Sequence, residues 1–263
     1  MSSVLIGSVF KTSQGMFCVN PEDQFVSREL VQTGQYSSGE ISSISNFIDL
    51  NSKILLLGGH IGSLCIPLSK KVAEMTVFEA NPSTYELLKI NLALNRTSNI
   101  TAYNLAANHE FGTLDFVMNT VNSGGSKRMP KERADAYFYD NPEVRKVPAV
   151  RLDDFLHGQS FDLIFMDIEG SEYFAMKGMP KLLEKASVLV VEFLPHHLSS
   201  VAGVTAGEFA ECLAGFQTLI SMAQKKVVHG QEAIRDLLEV MMRDNIADMG
   251  LILHKNVINA SFA

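Results

Sequence analysis

The sequence predicts an α/β fold built on a doubly wound, mostly parallel sheet. The apolar runs KILLLG (53–58), MTVFEA (75–80) and FDLIFMD (161–167) are continuous rather than alternating, which is typical of parallel strands covered on both faces. Helical patterns separate these runs, and strands that alternate with helices indicate βαβ units. In such a sheet, ligands bind at the carboxyl ends of the strands.

The N-terminal part precedes this regular pattern. Residues 4–20, VLIGSVFKTSQGMFCVN, alternate and turn at Ser13-Gln14-Gly15, as a β-hairpin would. Ile41, Ile44 and Ile48 follow at helical spacing, which predicts a helix over 41–50. We therefore divide the chain into an N-terminal hairpin and cap segment, residues 1–45, and a main domain, residues 46–263.

The main domain continues with elements of both types. Helices are predicted over 61–73, 82–95, 170–185, 205–215 and 230–243. Further strands are predicted over 99–106, 113–118, 147–152, 186–193 and 250–255, the last as a closing strand. Residues 119–146 show no clear period, and a loop of this length is usually functional or mobile. We expect this segment to be a lid, with Gly124 and Gly125 as hinges.

Composition and charge limit the class of protein. The chain has 263 residues, of which 46% are hydrophobic and 19% charged, as in soluble globular proteins. A net charge of −7 disfavours a nucleic-acid partner. No apolar run reaches the ~18 residues of a membrane span. We expect a cytoplasmic protein without a membrane partner, and a homodimer remains open.

The sequence predicts no metal site. The three cysteines form no CxxC pair, which disfavours a zinc site built on thiolates. Asp153, Asp154 and Asp167 could supply oxygen ligands, but their spacing is not diagnostic.

A glycine-rich loop follows the first strand of the main domain. Gly58, Gly59 and Gly62 allow the backbone to turn and to lie against a ligand. Glu79 ends the next strand, roughly 20 residues on, where an acid can bind ribose hydroxyls. Both NAD and S-adenosylmethionine contain such a ribose. His60 stands where a pyrophosphate needs a small residue, which favours S-adenosylmethionine.

Three acids, Asp167, Glu169 and Glu172, end the FDLIFMD strand and enter the next helix. Carboxylates at this strand end would favour the binding of a positively charged sulfonium. Glu172 is explained more simply as compensation of the helix macrodipole. A methyl acceptor must also lose a proton. The candidate bases are Asp167, Glu169, Glu192, His196 and His197, and the sequence selects none of them.

The sequence resembles the FkbM-type methyltransferases, S-adenosylmethionine-dependent enzymes that mostly methylate oxygen. The resemblance runs from about residue 15 to residue 194. The matching segments are GQYSSGEI (34–41), LLLGGHIGSL (55–64), VFEANPSTYELLKINLALN (77–95), AANHEFGTLDF (106–116), VRLDDF (150–155) and DLIFMDIEGSEYFAMKGM (162–179). It implies a Rossmann-like, seven-stranded methyltransferase sheet, mostly parallel with an antiparallel closing strand.

The resemblance also implies site residues. The positions that match cofactor-binding positions are Tyr36, Glu40, Gly58, Gly59, His60, Gly62, Glu79, Asn81, Ala107, Asn108 and Asp167. Asp167 and Glu169 match the acids that the family has at the end of the FDLIFMD strand, and both are candidate catalytic residues. His196 and His197 are further candidates because they follow the predicted strand 186–193. Leu56 departs from the family, which usually has Asp there, and Glu40 or a backbone carbonyl is expected to substitute.

The leading hypothesis is methyl transfer from S-adenosylmethionine to an oxygen of a small molecule, such as a sugar or a natural-product intermediate. N-methylation stays open. One alternative is an NAD(P)-dependent oxidoreductase that uses the same loop and Glu79. Another is a non-catalytic, nucleoside-binding relative. Lys127, Arg128, Lys131 and Arg133 could meet an anionic acceptor, although such charges often lie on a solvated face.

Overall fold

The computed structural model describes residues 5–259. Residues 1–4 of the predicted N-terminal segment and 260–263 of the predicted main domain lie outside this range. The strands are β1 (Ser8–Lys11), β2 (Met16–Val19), β3 (Lys53–Leu57), β4 (Glu74–Phe78), β5 (Ile100–Tyr103), β6 (Ala106–Asn108), β7 (Gly112–Met118), β8 (Lys127–Arg128), β9 (Glu143–Arg151), β10 (Leu163–Met166), β11 (Val188–Phe193), β12 (Thr218–Ser221), β13 (Lys226–His229) and β14 (Asp248–His254). The helices are α1 (Val26–Thr33), α2 (Ser38–Ser45), α3 (Cys65–Ser69), α4 (Pro82–Leu94), α5 (Leu152–Phe155), α6 (Glu172–Lys177), α7 (Pro180–Lys185), α8 (Ala206–Glu211) and α9 (Gln231–Arg243).

The main sheet has the strand order β13-β12-β14-β11-β10-β3-β4-β5. The strands from β11 to β5 pair in parallel. From β3 the chain adds β4 and β5 on one side, and it later adds β10 and β11 on the other. The direction of winding therefore switches between β3 and β10, and ligands bind at such a switch point.

The main sheet has eight strands within residues 5–259, so the prediction of seven is wrong. An antiparallel hairpin, β12 and β13, was not predicted, because four buried residues over Thr218–Ser221 are too short to show a period. The predicted closing strand, β14, is antiparallel to β11 but lies inside the sheet, between β11 and β12.

Helices cover both faces of the main sheet. Because side chains alternate along a strand, Leu55 and Leu57 pack in a cluster with residues of α5 to α9. Ile54 and Leu56 pack on the opposite face with residues of α1 to α4. All four side chains are fully buried, so β3 lies at the centre of a two-sided core.

Several predicted elements have different bounds. The strand expected over 99–106 is divided between β5 of the main sheet and β6 of a second sheet, which has the order β6-β9-β7-β8. The helix expected over 170–185 is two helices, since Pro180 starts α7. Gly178 separates them and lies so close to Asn108 that an added Cβ would be 2.0 Å from its carbonyl oxygen.

The segment 119–146 contains regular elements. It includes a 3-10 turn at Ser123–Gly125, strand β8, a second 3-10 turn at Asp135–Tyr137 and the start of β9. Within it, the Asp140 carboxylate accepts hydrogen bonds from the N–H groups of Thr120 and Val121, at 2.7 and 3.0 Å. These bonds tie the two ends of the segment to each other.

The N-terminal hairpin of β1 and β2 is attached to α4 by two asparagines one helical turn apart. Asn91 accepts a hydrogen bond from the Cys18 N–H at 2.6 Å and donates one to the Cys18 carbonyl at 3.0 Å. Asn95 makes the same pair of bonds to Met16, at 2.9 and 2.7 Å. Because the i, i+4 rise of a helix is close to a two-residue step along a strand, the two amides pair with the free edge of β2.

None of the helices found between residues 5 and 259 is both long enough and apolar enough to cross a membrane.

Candidate functional site

A cavity lies at the carboxyl ends of β3, β4 and β10, at the switch in winding. It measures about 950 Å³ when the open space at its mouth is included. Gly58, Glu79 and Asp167, which follow these three strands, all line it. Because β10, β3 and β4 are neighbours in the sheet, three residues that are distant in sequence line the same cavity.

Gly58 allows β3 and β10 to approach at the floor of the cavity. Its φ is +95°, a left-handed value that favours glycine. A Cβ added there would lie 1.9 Å from the carbonyl oxygen of Asp167, and contacts under 3.0 Å are essentially never seen for real Cβ atoms. The residue is therefore glycine because the backbone of Asp167 occupies the space of a side chain.

The Glu79 carboxylate joins the glycine loop to the end of β4. Its Oε1 accepts hydrogen bonds from the Asn81 N–H at 2.8 Å and the Thr84 hydroxyl at 2.9 Å. Its Oε2 accepts one from the His60 N–H at 2.6 Å. A carboxylate has about four acceptor positions, so one position on Oε2 remains for a ligand hydroxyl. Burial raises the pKa of Glu79, and these hydrogen bonds oppose that rise.

The structure brings together most of the predicted cofactor positions. Tyr36, Glu40, Gly58, Gly59, His60, Glu79, Ala107 and Asp167 line the cavity. Three others lie behind its wall. Gly62 packs on Ile66 and Leu88, Asn81 caps α4 by accepting from the Ser83 N–H at 2.9 Å, and Asn108 donates to the Glu110 carbonyl at 3.2 Å.

Apolar side chains form the other wall, toward β5 and the second sheet. They include Phe78 at the end of β4, Leu105 after β5, and Leu114 and Phe116 of β7. Leu56, where the resemblance predicts Asp, does not line the cavity and is fully buried in the core.

The cavity is acidic where it meets the end of β10. Burial raises the pKa of Asp167 well above its usual value, and the negative charges of Glu169 and Glu40 raise it further. Burial and the charge of Asp167 likewise raise the pKa of Glu192. Lys127 partly offsets both effects. The raised pKa values favour the neutral carboxyl groups, and a positively charged ligand beside them would favour the ionised form.

Glu169, Lys127 and His197 form a buried cluster beside the cavity. The Lys127 ammonium donates to Glu169 Oε2 at 2.9 Å and lies 3.4 Å from His197 Nε2. Burial and the positive charge of Lys127 lower the pKa of His197 to about 2, so its imidazole is neutral. Glu169 lines the cavity, whereas His196 and His197 do not.

His196 is exposed and stacks on Tyr137, with ring centroids 6.5 Å apart. Burial of part of the ring lowers its pKa. Of the basic residues expected to meet an acceptor, Lys127 faces Glu169 and Arg128 lies 3.5 Å over the Phe174 ring.

A second buried cluster was not predicted. His60 Nε2 lies 2.7 Å from the Ser123 hydroxyl oxygen, and that hydroxyl donates a short hydrogen bond to Asp23. Burial lowers the pKa of His60 to about 4, against the influence of Asp23. The cluster joins the N-terminal segment and residues 119–146 to the glycine loop. Sequence spacing carries no signal for it, since its members lie on three distant segments.

The oxygen ligands considered around Asp167 have other partners. Asp153 accepts hydrogen bonds from the N–H groups of Lys181 and Leu182, both at 3.0 Å, and so caps α7. Asp154 pairs with Arg151 at 2.9 Å on the surface.

Residues 57–238 match the methyltransferase FkbM domain family. No curated protein matches the sequence significantly. Among solved structures, a methyltransferase FkbM from Methylobacillus flagellatus KT is 18% identical with a TM-score of 0.46, and the match covers 78% of this chain and 44% of that one. The chain thus spans less than half the length of that protein.

Two further solved structures are similar over most of both chains. A precorrin-6y C5,15-methyltransferase from Geobacter metallireducens GS-15 is 10% identical, with a TM-score of 0.45, over 91% of this chain and 95% of that one. An rRNA methylase from Streptococcus thermophilus is 8% identical, with a TM-score of 0.43, over 82% of this chain and 92% of that one.

Proposed function

Because the chain belongs to the FkbM methyltransferase family, we propose that it transfers a methyl group from S-adenosylmethionine to an oxygen of a small molecule, such as a sugar or a natural-product intermediate. The observation that carries the proposal is the single cavity lined by Gly58, Glu79 and Asp167. Hydroxyl-binding and cation-binding groups converge there at the carboxyl ends of three neighbouring strands.

The lining residues fit the parts of this cofactor. The remaining acceptor position on Glu79 Oε2 suits a ribose hydroxyl, and the apolar wall that includes Phe78 and Leu105 suits adenine. Glu40 and Asp167 would face the amino group and the sulfonium, so Glu40 supplies the negative charge that Leu56 lacks. When bound, S-adenosylmethionine supplies an electrophilic methyl group on a positively charged sulfur.

The protein must orient the acceptor and accept its proton. We assign proton acceptance to Glu169, because it lines the cavity and lies two residues after Asp167, near enough for its charge to act on that carboxyl group. His196 and His197 do not line the cavity. Residues 119–146 would cover the acceptor, since Ser123, Gly124 and Ser126 already form part of the wall.

The shape of the glycine loop argues against a dinucleotide. A pyrophosphate binds at a helix N-terminus that follows such a loop directly. Here Gly62 N–H bonds back to the Gly59 carbonyl at 2.9 Å, and α3 begins only at Cys65. The acidic lining would also repel phosphate groups.

Calorimetry with S-adenosylmethionine and with NAD⁺ tests the cofactor. We expect S-adenosylmethionine to bind, and Glu79→Ala to weaken its binding at least about tenfold, the effect of losing one hydrogen bond to a charged group. Glu86→Ala, which removes an exposed acid on α4, should bind like the wild type. Binding of NAD⁺ instead would overturn the proposal.

Transfer is tested with S-adenosylmethionine that carries a radiolabelled methyl group and a panel of sugars, phenols and other hydroxyl compounds. We expect label on a hydroxyl oxygen of at least one acceptor. Cofactor binding without transfer across the panel would favour the non-catalytic, nucleoside-binding alternative.

A further inference from the structure

Three side chains beside the cavity form a set of metal-ligating groups. Glu169, Glu192 and His197 each offer one ligand atom, and these atoms lie within 4.8 Å of one another. Glu192 and His197 are only 4% and 5% exposed. Two carboxylate oxygens and one imidazole nitrogen are donors typical of sites for Mn²⁺ and other divalent transition-metal ions.

The spacing of two of these atoms suits a shared cation. His197 Nδ1 and Glu169 Oε2 are 3.4 Å apart. Two ligand atoms bound about 2.1 Å from one ion at a tetrahedral angle are about 3.4 Å apart. The pair therefore needs little movement to reach coordination distance.

An unpaired ring nitrogen supplies an independent observation. His197 Nδ1 is buried and has no hydrogen-bond partner among the described residues, although Glu169 lies near it. Burying a polar atom without a partner is costly, and such atoms often mark a role that the protein alone does not satisfy. A cation between Nδ1 and the two carboxylates would satisfy it.

Lys127 now contacts two of these three side chains. Its Nζ is 3.4 Å from His197 Nε2 and donates at 2.9 Å to Glu169 Oε2, the oxygen that also lies 3.4 Å from His197 Nδ1. Lys127 supplies one positive charge beside the carboxyl groups of Asp167, Glu169 and Glu192. A divalent cation at this point would favour the ionised form of these carboxyl groups more strongly than one ammonium does.

We propose that Glu169, Glu192 and His197 bind one divalent transition-metal cation beside the cavity, where Glu169 reaches its wall. Binding requires a lone pair on His197 Nδ1, so the ring proton moves to Nε2. The Lys127 ammonium must then swing away from Nε2 and from Glu169 Oε2, which it now contacts. The cation would lower the pKa of an acceptor hydroxyl, a consequence that rests on the proposed function. One oxygen of Glu169 binds the ion, and the other can still accept a proton.

Titration of the purified full-length protein with Mn²⁺ tests the site, without cofactor or acceptor. Calorimetry and the loss of the electron paramagnetic resonance signal of free Mn²⁺ should both give one ion per chain. Glu192→Gln and His197→Gln should each abolish this binding. His196→Gln is the matched control, because it changes the neighbouring, exposed imidazole, and it should bind Mn²⁺ like the wild type.

Lys127→Met gives a second, independent prediction. Removing a positive charge a few ångströms from the ion should tighten Mn²⁺ binding by at least about tenfold. Circular dichroism melts show whether each variant is folded. If one ligand variant does not fold, the Mn²⁺ affinities of the other ligand variant and of Lys127→Met still test the site.

The proposal is overturned if neither the wild type nor Lys127→Met binds Mn²⁺, or if binding survives both ligand variants. Because the titration needs no S-adenosylmethionine, its failure is distinguishable from failure of the proposed methyl transfer. That function would fail in the cofactor calorimetry instead.

Discussion

Gly58→Ala is the substitution that tests the convergence of strands most directly. The new Cβ would start 1.9 Å from the Asp167 carbonyl oxygen and must retreat to at least 3.0 Å. The ends of β3 and β10 therefore have to separate by more than 1 Å. The floor of the cavity lies at this junction, so the cofactor site opens with it.

The expected loss of stability has two parts. Alanine at a left-handed φ of +95° costs about 1–2 kcal/mol relative to glycine. The separation also strains the bond from the Asp167 N–H to the Leu57 carbonyl, at 3.1 Å, and a buried group left unpaired costs about 1–3 kcal/mol. Together they predict a decrease of about 2–5 kcal/mol in the free energy of unfolding.

Urea unfolding measures the stability, and calorimetry with S-adenosylmethionine measures the site. Gly39→Ala is the matched control, since nothing lies within 4 Å of its added Cβ and the residue is in α2. It should be neutral or stabilising by up to about 1 kcal/mol. A Gly58→Ala protein within 1 kcal/mol of the wild type that binds the cofactor normally would refute the close approach of β3 and β10.

Three further predictions concern stability. Burial lowers the pKa of His60 from 6.5 to about 4, so the unfolded chain takes up a proton first as the pH falls. The free energy of unfolding should therefore decrease by about 3 kcal/mol as the pH falls from 6.5 to about 4. His60→Asn should reduce this pH dependence in guanidinium melts recorded over the same pH range. Asn91→Ala removes three buried hydrogen bonds and should lose about 3–5 kcal/mol in urea melts, more than Asn95→Ala, whose bonds to Met16 are exposed. Asp153→Ala removes the cap of α7 and should lower the free energy of unfolding by about 1–2 kcal/mol, whereas the exposed Asp154→Ala should change thermal stability little.

The hairpin and the second sheet show where sequence patterns stop being informative. The sequence pattern of residues 99–106 predicts one strand. In the structure the chain leaves the main sheet after β5 at Tyr103 and enters the second sheet at Ala106 with β6, and the sequence pattern does not show this change. Nothing in the spacing of Asn91 and Asn95 distinguishes them from solvated helix residues. Only the position of β2 beside α4 makes their amides structural.

The sequence by itself determined the parallel core strands, the glycine loop and the acids at their ends. It could do so because parallel strands end at a common edge, and residues directly after them must share that edge. Gly58, Glu79 and Asp167 were therefore predictable as neighbours, and they line one cavity.

Only the tertiary structure decided which side chains face each other across segments. Asp23, His60 and Ser123 meet because the N-terminal segment and residues 119–146 fold over the glycine loop. Glu192 and His197 meet Glu169 because β11 pairs beside β10. Contacts of this kind depend on packing directions, which hydrophobic periodicity does not record.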